Sequence, residues 1–215
     1  MPSLERVRTA LTSHDPVVLP VDEVRHAAVA MVLAETAEGP EVLFIERARH
    51  PRDPWSGHMA FPGGRVDPGD SDGRAAAERE VEEEVGVSLA GAELLGRLHD
   101  KRGNPVTHPA LVISAFVYRV EGALPLRINH EVNDAFWFPL SGLLDPVRHV
   151  QYTTGGELEF PGILVGEPDR HVVWGLTYSF LESFFHAVGH PLPDRWNDDM
   201  RRYARELERD QGGRD

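Results

Sequence analysis

Strand-like segments that precede, bracket and follow one central helix, with a helical tail behind them, predict an α/β fold: a mixed β-sheet sandwiched between α-helices. Three observations carry this expectation. HAAVAMVLA (26–34) and EVLFIER (41–47) are apolar, β-branched runs of strand length, and the turn-rich ETAEGP between them makes a hairpin. RAAAEREVEEEV (74–85) reads as a helix that stops at Gly86. GLTYSFLESFFHAV (175–188) is apolar on most sides, as a buried helix is.

The remaining elements follow in order. Ser3 caps a short helix over 3–12 whose Leu4, Val7 and Leu11 share a face. A loop dense in proline and glycine runs from His50 to Gly73, and strands are expected near 92–99, 108–120 and 132–138. Residues 147–173 read as short strands and turns around TTGGE and FPG, and RWNDDMRRYARELERD (195–210) as an amphipathic helix before a frayed QGGRD. There is no repeat and no Pro/Ser linker. The expectation is therefore a single domain over 1–215, with its core at about 24–190 between the N-terminal helix 3–12 and the C-terminal helix 195–210.

Composition narrows the function classes. Cysteine is absent, which excludes a disulfide scaffold, thiol catalysis and Cys-ligated metals. Acids outnumber bases 35 to 22, a net charge of −13, which argues against nucleic-acid binding and means that an anionic substrate needs local positive charge. Lys101 is the only lysine, so arginine is the default base of this chain. No run of 18 apolar residues occurs and MPSLERVRTALTSHD has no signal-peptide core, so the chain reads as soluble and cytoplasmic, with no membrane partner and with a homodimer left open.

The stretch GGRVDPGDSDGRAAAEREVEEEVGV (63–87) is the informative one. On a helix, Glu80, Glu83 and Glu84 stand at i, i+3 and i+4 and share a face, while Ala77, Val81 and Val85 share another. Like charges at this spacing oppose one another by about 0.2–0.5 kcal/mol per pair. The helix dipole also disfavours acids in the last turns. A solvated acidic face would tolerate both effects; a bound divalent cation would reverse them. Gly63 and Gly64 upstream allow backbone to approach closely, and Arg79 is placed to orient a carboxylate.

These residues resemble the Nudix hydrolase box G-x5-E-x7-R-E-U-x-E-E-x-G-U, with U apolar: Gly64, Arg79, Glu80, Val81, Glu83, Glu84, Gly86 and Val87 match it. Asp70 stands where the first box glutamate belongs, and eight residues rather than seven separate it from Arg79. The resemblance implies a Nudix fold and cleavage of a nucleoside diphosphate-linked small molecule with Mg2+ or Mn2+. Glu80 and Glu84, with the Gly64 carbonyl, would be the metal ligands, Arg79 would orient a carboxylate, and Glu83 would be a further ligand or the general base. Glu131, in Asn129-His130-Glu131-Val132, is the second candidate for the base; it also reads as an ordinary exposed loop acid, so Glu83 is preferred although metal coordination would lower its basicity.

Outside the box, Gly57-His58-Met59-Ala60-Phe61-Pro62-Gly63-Gly64 and Trp174-Gly175-Leu176-Thr177 resemble the coenzyme A diphosphatase branch. That branch carries an arginine where this chain has Asp53. Arg47, Arg49, Arg52 and Arg65 are the candidates for substrate phosphates, since a guanidinium grips phosphate with two parallel bonds. Trp55 is the candidate for stacking on a base. The resemblance implies hydrolysis of coenzyme A or its thioesters to 3′,5′-ADP and 4′-phosphopantetheine. The alternatives are an ADP-ribose, dinucleotide or nucleoside-triphosphate diphosphatase, or a nucleotide-sensing module without turnover. His186 and His190 lack the glutamate of a zinc-binding HExxH pair.

Overall fold

The computed structural model describes residues 3–21, 24–50, 55–103, 110–153, 159–168 and 170–196. Helix α1 (Leu4–Thr12) is capped by the Ser3 hydroxyl, which accepts from the Arg6 N–H, and it buries Leu4, Val7 and Leu11. Strands β1 (Arg25–Thr36) and β2 (Gly39–Arg47) form the expected hairpin, closing at Thr36 opposite Gly39. Two short strands, β3 (Met59–Ala60) and β4 (Gly63–Arg65), lie inside the segment read as loop. Proline and glycine masked them: Met59 and Phe61 are buried, and Gly63 takes a φ of 153° so that its backbone can pack against Ala28 and Val29.

Helix α2 (Gly73–Val85) begins under an Asp72 cap, whose side chain accepts the Ala75 N–H at 2.9 Å, and ends at left-handed Gly86. Then come β5 (Glu93–Arg97), β6 (Lys101–Arg102), β7 (Leu111–Glu121) and β8 (Val132–Pro139). Short 3-10 turns lead to a three-stranded sheet of β9 (His149–Thr153), β10 (Glu159–Leu164) and β11 (Val172–Trp174), and helix α3 (Gly175–Ala187) follows. The helix expected over 195–210 falls mostly outside the described residues.

The large sheet runs β3-β2-β1-β7-β5, with β4 beside β1, β6 beside β7 and β8 beside β2. It is mixed because β1 and β7 are parallel, from Arg25 opposite Leu111 to Glu35 opposite Glu121, while the other pairs are antiparallel. Side chains alternate between two buried layers, so the central strands read as unbroken apolar runs. Ala28, Ala30, Val32 and Ala34 of β1 pack with Ala76, Ala77, Val81 and Val85 of α2. Met31 and Leu33 point the other way, into the layer with Leu4, Val7 and Leu11 of α1 and Tyr178, Leu181, Phe184 and Phe185 of α3. No helix among the described residues is long and apolar enough to cross a membrane.

Gly86 has φ 69°, and a side chain there would sit 3.1 Å from the Arg127 Cβ. Gly86→Ala is expected to lower stability by about 1–2 kcal/mol, the cost of a left-handed non-glycine residue. Urea denaturation measures it, and an unchanged midpoint would contradict the strained cap.

Candidate functional site

Packing of α2 decides which of its acids meet. With Ala76, Ala77, Val81 and Val85 on the sheet, the Glu84 side chain is 2% exposed, Glu80 13% and Glu83 52%. The Gly63 N–H donates to Glu84 Oε2 at 2.8 Å. A side chain at Gly64 would collide with the Glu80 carboxylate, so the paired glycines bring β4 directly against both acids.

A loop then delivers a third acid. The last carbonyls of a helix have no partner within it. Here Glu84 accepts the Asn129 N–H at 3.1 Å and Val85 accepts the Arg127 N–H at 2.8 Å. Asn129 Oδ1 accepts the Glu131 N–H at 2.8 Å, and the Glu131 carbonyl accepts the Ala48 N–H at 2.8 Å. So held, Glu131 places a carboxylate oxygen within 4.8 Å of those of Glu80 and Glu84.

Burial pushes the Glu84 carboxyl up to about 8, against the pull of the Gly63 N–H and Arg47, and the nearby Glu80 and Glu131 raise it further. Burial likewise raises Glu80, against its bond to Arg79. Three acids at a partly buried point, supplying only oxygen donors, fit a hard divalent cation such as Mg2+ or Mn2+. Its charge would offset both the burial and the mutual repulsion.

Arg79 anchors the remaining acids. Its Nε and one terminal nitrogen grip Asp70 at 3.0 Å each, and the other terminal nitrogen donates to Glu80 and Glu83 at 2.9 Å each. It also donates to the Arg65 carbonyl at 3.0 Å. The guanidinium holds Asp70 below the ordinary carboxylate range. Asp70, one methylene shorter than the glutamate of the box and on a loop one residue longer, thus ties that loop to α2. Glu83 points to solvent and to Arg79, and the carboxylate that joins Glu80 and Glu84 is that of Glu131.

The other candidates are spread out. The Arg47 guanidinium lies 4.0 Å from Glu84 Oε1. Arg49 is exposed and lines a cleft of about 350 Å3 with Glu46, Ser56, Gly57, His58, Tyr152 and Arg170. Arg65 is exposed on β4, Trp55 packs half-buried against the α3-side core, and Arg52 lies outside the described residues. The His58 ring meets Trp174 at 4.7 Å, which brings the Gly57–Gly64 and Trp174–Thr177 segments side by side.

Sequence reasoning missed an ionic group beside this cleft. Glu46, 1% exposed, accepts from Arg170 at 2.7 Å and from Asn133 at 2.6 Å. The signal was present: in EVLFIER, Glu46 falls in the same phase as the inward-facing Val42 and Phe44, and a buried acid needs partners.

A model of the NUDIX domain matches residues 24–154, more than half of the chain, including Gly64, Arg79, Glu80, Glu84 and Glu131. The chain belongs to the Nudix family. Among its relatives, an uncharacterized protein of Schizosaccharomyces pombe is 34% identical over 157 residues, covering 63% of this chain and 48% of that protein. The mitochondrial coenzyme A diphosphatase NUDT8 of Homo sapiens is 32% identical over 164 residues, covering 73% of this chain and 66% of that enzyme. This Nudix chain thus spans about half to two thirds the length of these curated relatives. In structure it resembles a MutT/nudix family protein from Enterococcus faecalis, with a TM-score of 0.55 and 20% identity over 87% of this chain and 70% of that one, a likeness of fold. The Nudix sheet between helices is the architecture expected above.

Proposed function

We propose that this chain, as one Nudix domain over its whole length, hydrolyses a nucleoside diphosphate-linked small molecule, with coenzyme A or its thioesters as the leading substrate. The observation that carries the reading is the meeting of Glu80, Glu84 and Glu131 beside the close-packed Gly63-Gly64 backbone. A divalent cation held by Glu80, Glu84 and the Gly64 carbonyl would neutralise charge developing on the diphosphate and acidify an attacking water. Arg79 holds Glu80 in place and binds the Asp70 loop to the helix. Glu131, free of Arg79, accepts the proton as water attacks phosphorus and the bond to the bridging oxygen breaks; this role passes to it from Glu83, which Arg79 occupies. Arg47 and Arg49 supply positive charge for the phosphates that a chain of net charge −13 otherwise lacks.

The choice of coenzyme A is supported by the likeness to the human diphosphatase and by the contact between the two segments that resemble that branch. A substrate panel with Mg2+ tests it. Coenzyme A is expected to exceed ADP-ribose in kcat/KM, with 3′,5′-ADP as product, and dephospho-coenzyme A to be the weaker substrate of the pair. ADP-ribose or a dinucleoside polyphosphate ahead by about tenfold, which is about 1.4 kcal/mol in the transition state, would overturn the substrate and leave the hydrolase. Tight binding without turnover of any member would overturn the hydrolase.

A further inference from the structure

Glu46 lies outside the carboxylate cluster, yet the strand geometry around it accounts for how the cluster is assembled. β2 and β8 pair in regular register from Glu41 opposite Pro139 to Glu46 opposite Asp134, and then slip: Arg47 pairs with Val132. Asn133 is therefore an extra residue, a bulge. By strict alternation Asn133 would share the α2 face with Ala135 and Trp137. Its amide turns instead to Glu46, 2.6 Å away on the opposite face, and Val132 fills the α2-side layer in its stead. A one-residue slip moves every later side chain to the other face, and bulges use this to re-aim a side chain beside a site. Here the slip sets Val132 opposite Arg47, and Glu131, just before β8, accepts the Ala48 N–H through its carbonyl with its carboxylate beside Glu80 and Glu84.

We propose that Glu46 and Asn133 are positioning residues: their bond locks the bulge and thereby aims Glu131 at Glu80 and Glu84, with Arg170 as the counterion of buried Glu46. Arg170, from the turn before β11, donates to Glu46 through Nε at 3.1 Å and through a terminal nitrogen at 2.7 Å. The regular register would take the amide away from Glu46, and a buried carboxylate that loses a donor is costly, so the bond selects the slipped register. Glu46, Asp134 and His171 are close enough to suggest a second cation site, but two facts oppose it. His171 Nδ1 accepts the Glu167 N–H at 3.1 Å, which leaves the proton of the neutral ring on Nε2, and Arg170 already lies against both carboxylates.

This inference rests on the reading of Glu80, Glu84 and Glu131 as a metal-dependent centre, and the test separates the two. Mn2+ affinity of the metal-free protein is measured by electron paramagnetic resonance titration for wild type, Glu131→Gln, Asn133→Ala and the double variant, with kcat and KM determined alongside. Asn133 is exposed, so its truncation opens no buried cavity, and Glu46 keeps its bonds from Arg170. Glu131 adds a negative charge within 4.8 Å of the Glu80 and Glu84 oxygens, so even as the base and not a ligand it favours the cation, and Asn133→Ala and Glu131→Gln are each expected to weaken Mn2+ by about tenfold. The double variant should be no weaker than Glu131→Gln, since both changes act through one carboxylate. Asn133→Ala should also lower kcat about tenfold with KM within about threefold of wild type. Wild-type Mn2+ affinity in Asn133→Ala, or losses that multiply in the double variant, overturn the positioning role. An unaffected Glu131→Gln overturns it as well while leaving Glu80 and Glu84 as ligands, and a wild type that binds no Mn2+ overturns the metal-dependent reading itself.

Discussion

Glu84→Gln is expected to lower kcat with Mg2+ by at least about 100-fold, a loss of about 2.7 kcal/mol in the transition state, while the fold survives. The side chain keeps its shape, and its oxygen still accepts the Gly63 N–H. Only the charge is lost, and with it the most buried of the three acids that gather. Without metal the same change is expected to stabilise the protein in a pH-dependent way. The Glu84 carboxyl titrates near 8 in the folded chain, against 4.5 ordinarily. Between those values the folded state holds a proton that the unfolded state has released, so wild-type stability falls as pH rises, by up to about 1.4 kcal/mol per pH unit, and levels off above the folded value. Glutamine has no such dependence. In EDTA, the Tm of Glu84→Gln should match that of wild type near pH 4.5 and exceed it increasingly toward pH 8. Near-wild-type turnover would mean that the ligands are misassigned; a lower Tm at pH 8 would contradict the burial account.

Glu131→Gln should cost at least about 100-fold in kcat at saturating Mg2+, the lower end of what a positioned base contributes, while Glu83→Gln stays within about tenfold of wild type. Among the described residues Glu131 is the acid that joins Glu80 and Glu84, and it lies apart from the acids that Arg79 bonds, whereas Glu83 is half-exposed and bonded to Arg79 at 2.9 Å. If Glu131 takes the proton, the loss in Glu131→Gln should fall on kcat with KM little changed. Near-wild-type kcat in Glu131→Gln, with Glu83→Gln the more damaged variant, would return the base to the helix.

Much of this arrangement was legible in the chain because it depends on short-range rules. The hairpin of β1 and β2, the α2 helix with its stop at Gly86, and the buried α3 follow from residue period and capping, which act within a few residues. Strands β3 and β4 were hidden: neither is long enough to show alternation, and both exist because β2 and β1 lie beside them to accept their bonds. Glu83 was the preferred base for a similar reason. Helical spacing puts it on a face with Glu80 and Glu84, but the contact of α2 with the sheet and the bond to Arg79 set how that face is shared.

By itself, the sequence determined the α/β class, the box helix with Glu80 and Glu84, the paired glycines in front of it and the absence of thiol chemistry. Each depends on residue type and on spacings shorter than one helix or hairpin. Tertiary structure alone decided that Glu131 completes the carboxylate group, that Asp70 still meets Arg79 across a longer loop, and that Glu46, Asn133 and Arg170 hold the strand end behind Glu131. The physical reason is distance along the chain: Glu131 and Glu84 meet through a loop bonded to the end of α2, and Arg170 reaches Glu46 from the turn before β11. A charge so far away in sequence leaves no periodic trace, and its effect on a carboxylate is felt only once folding has removed the water between them.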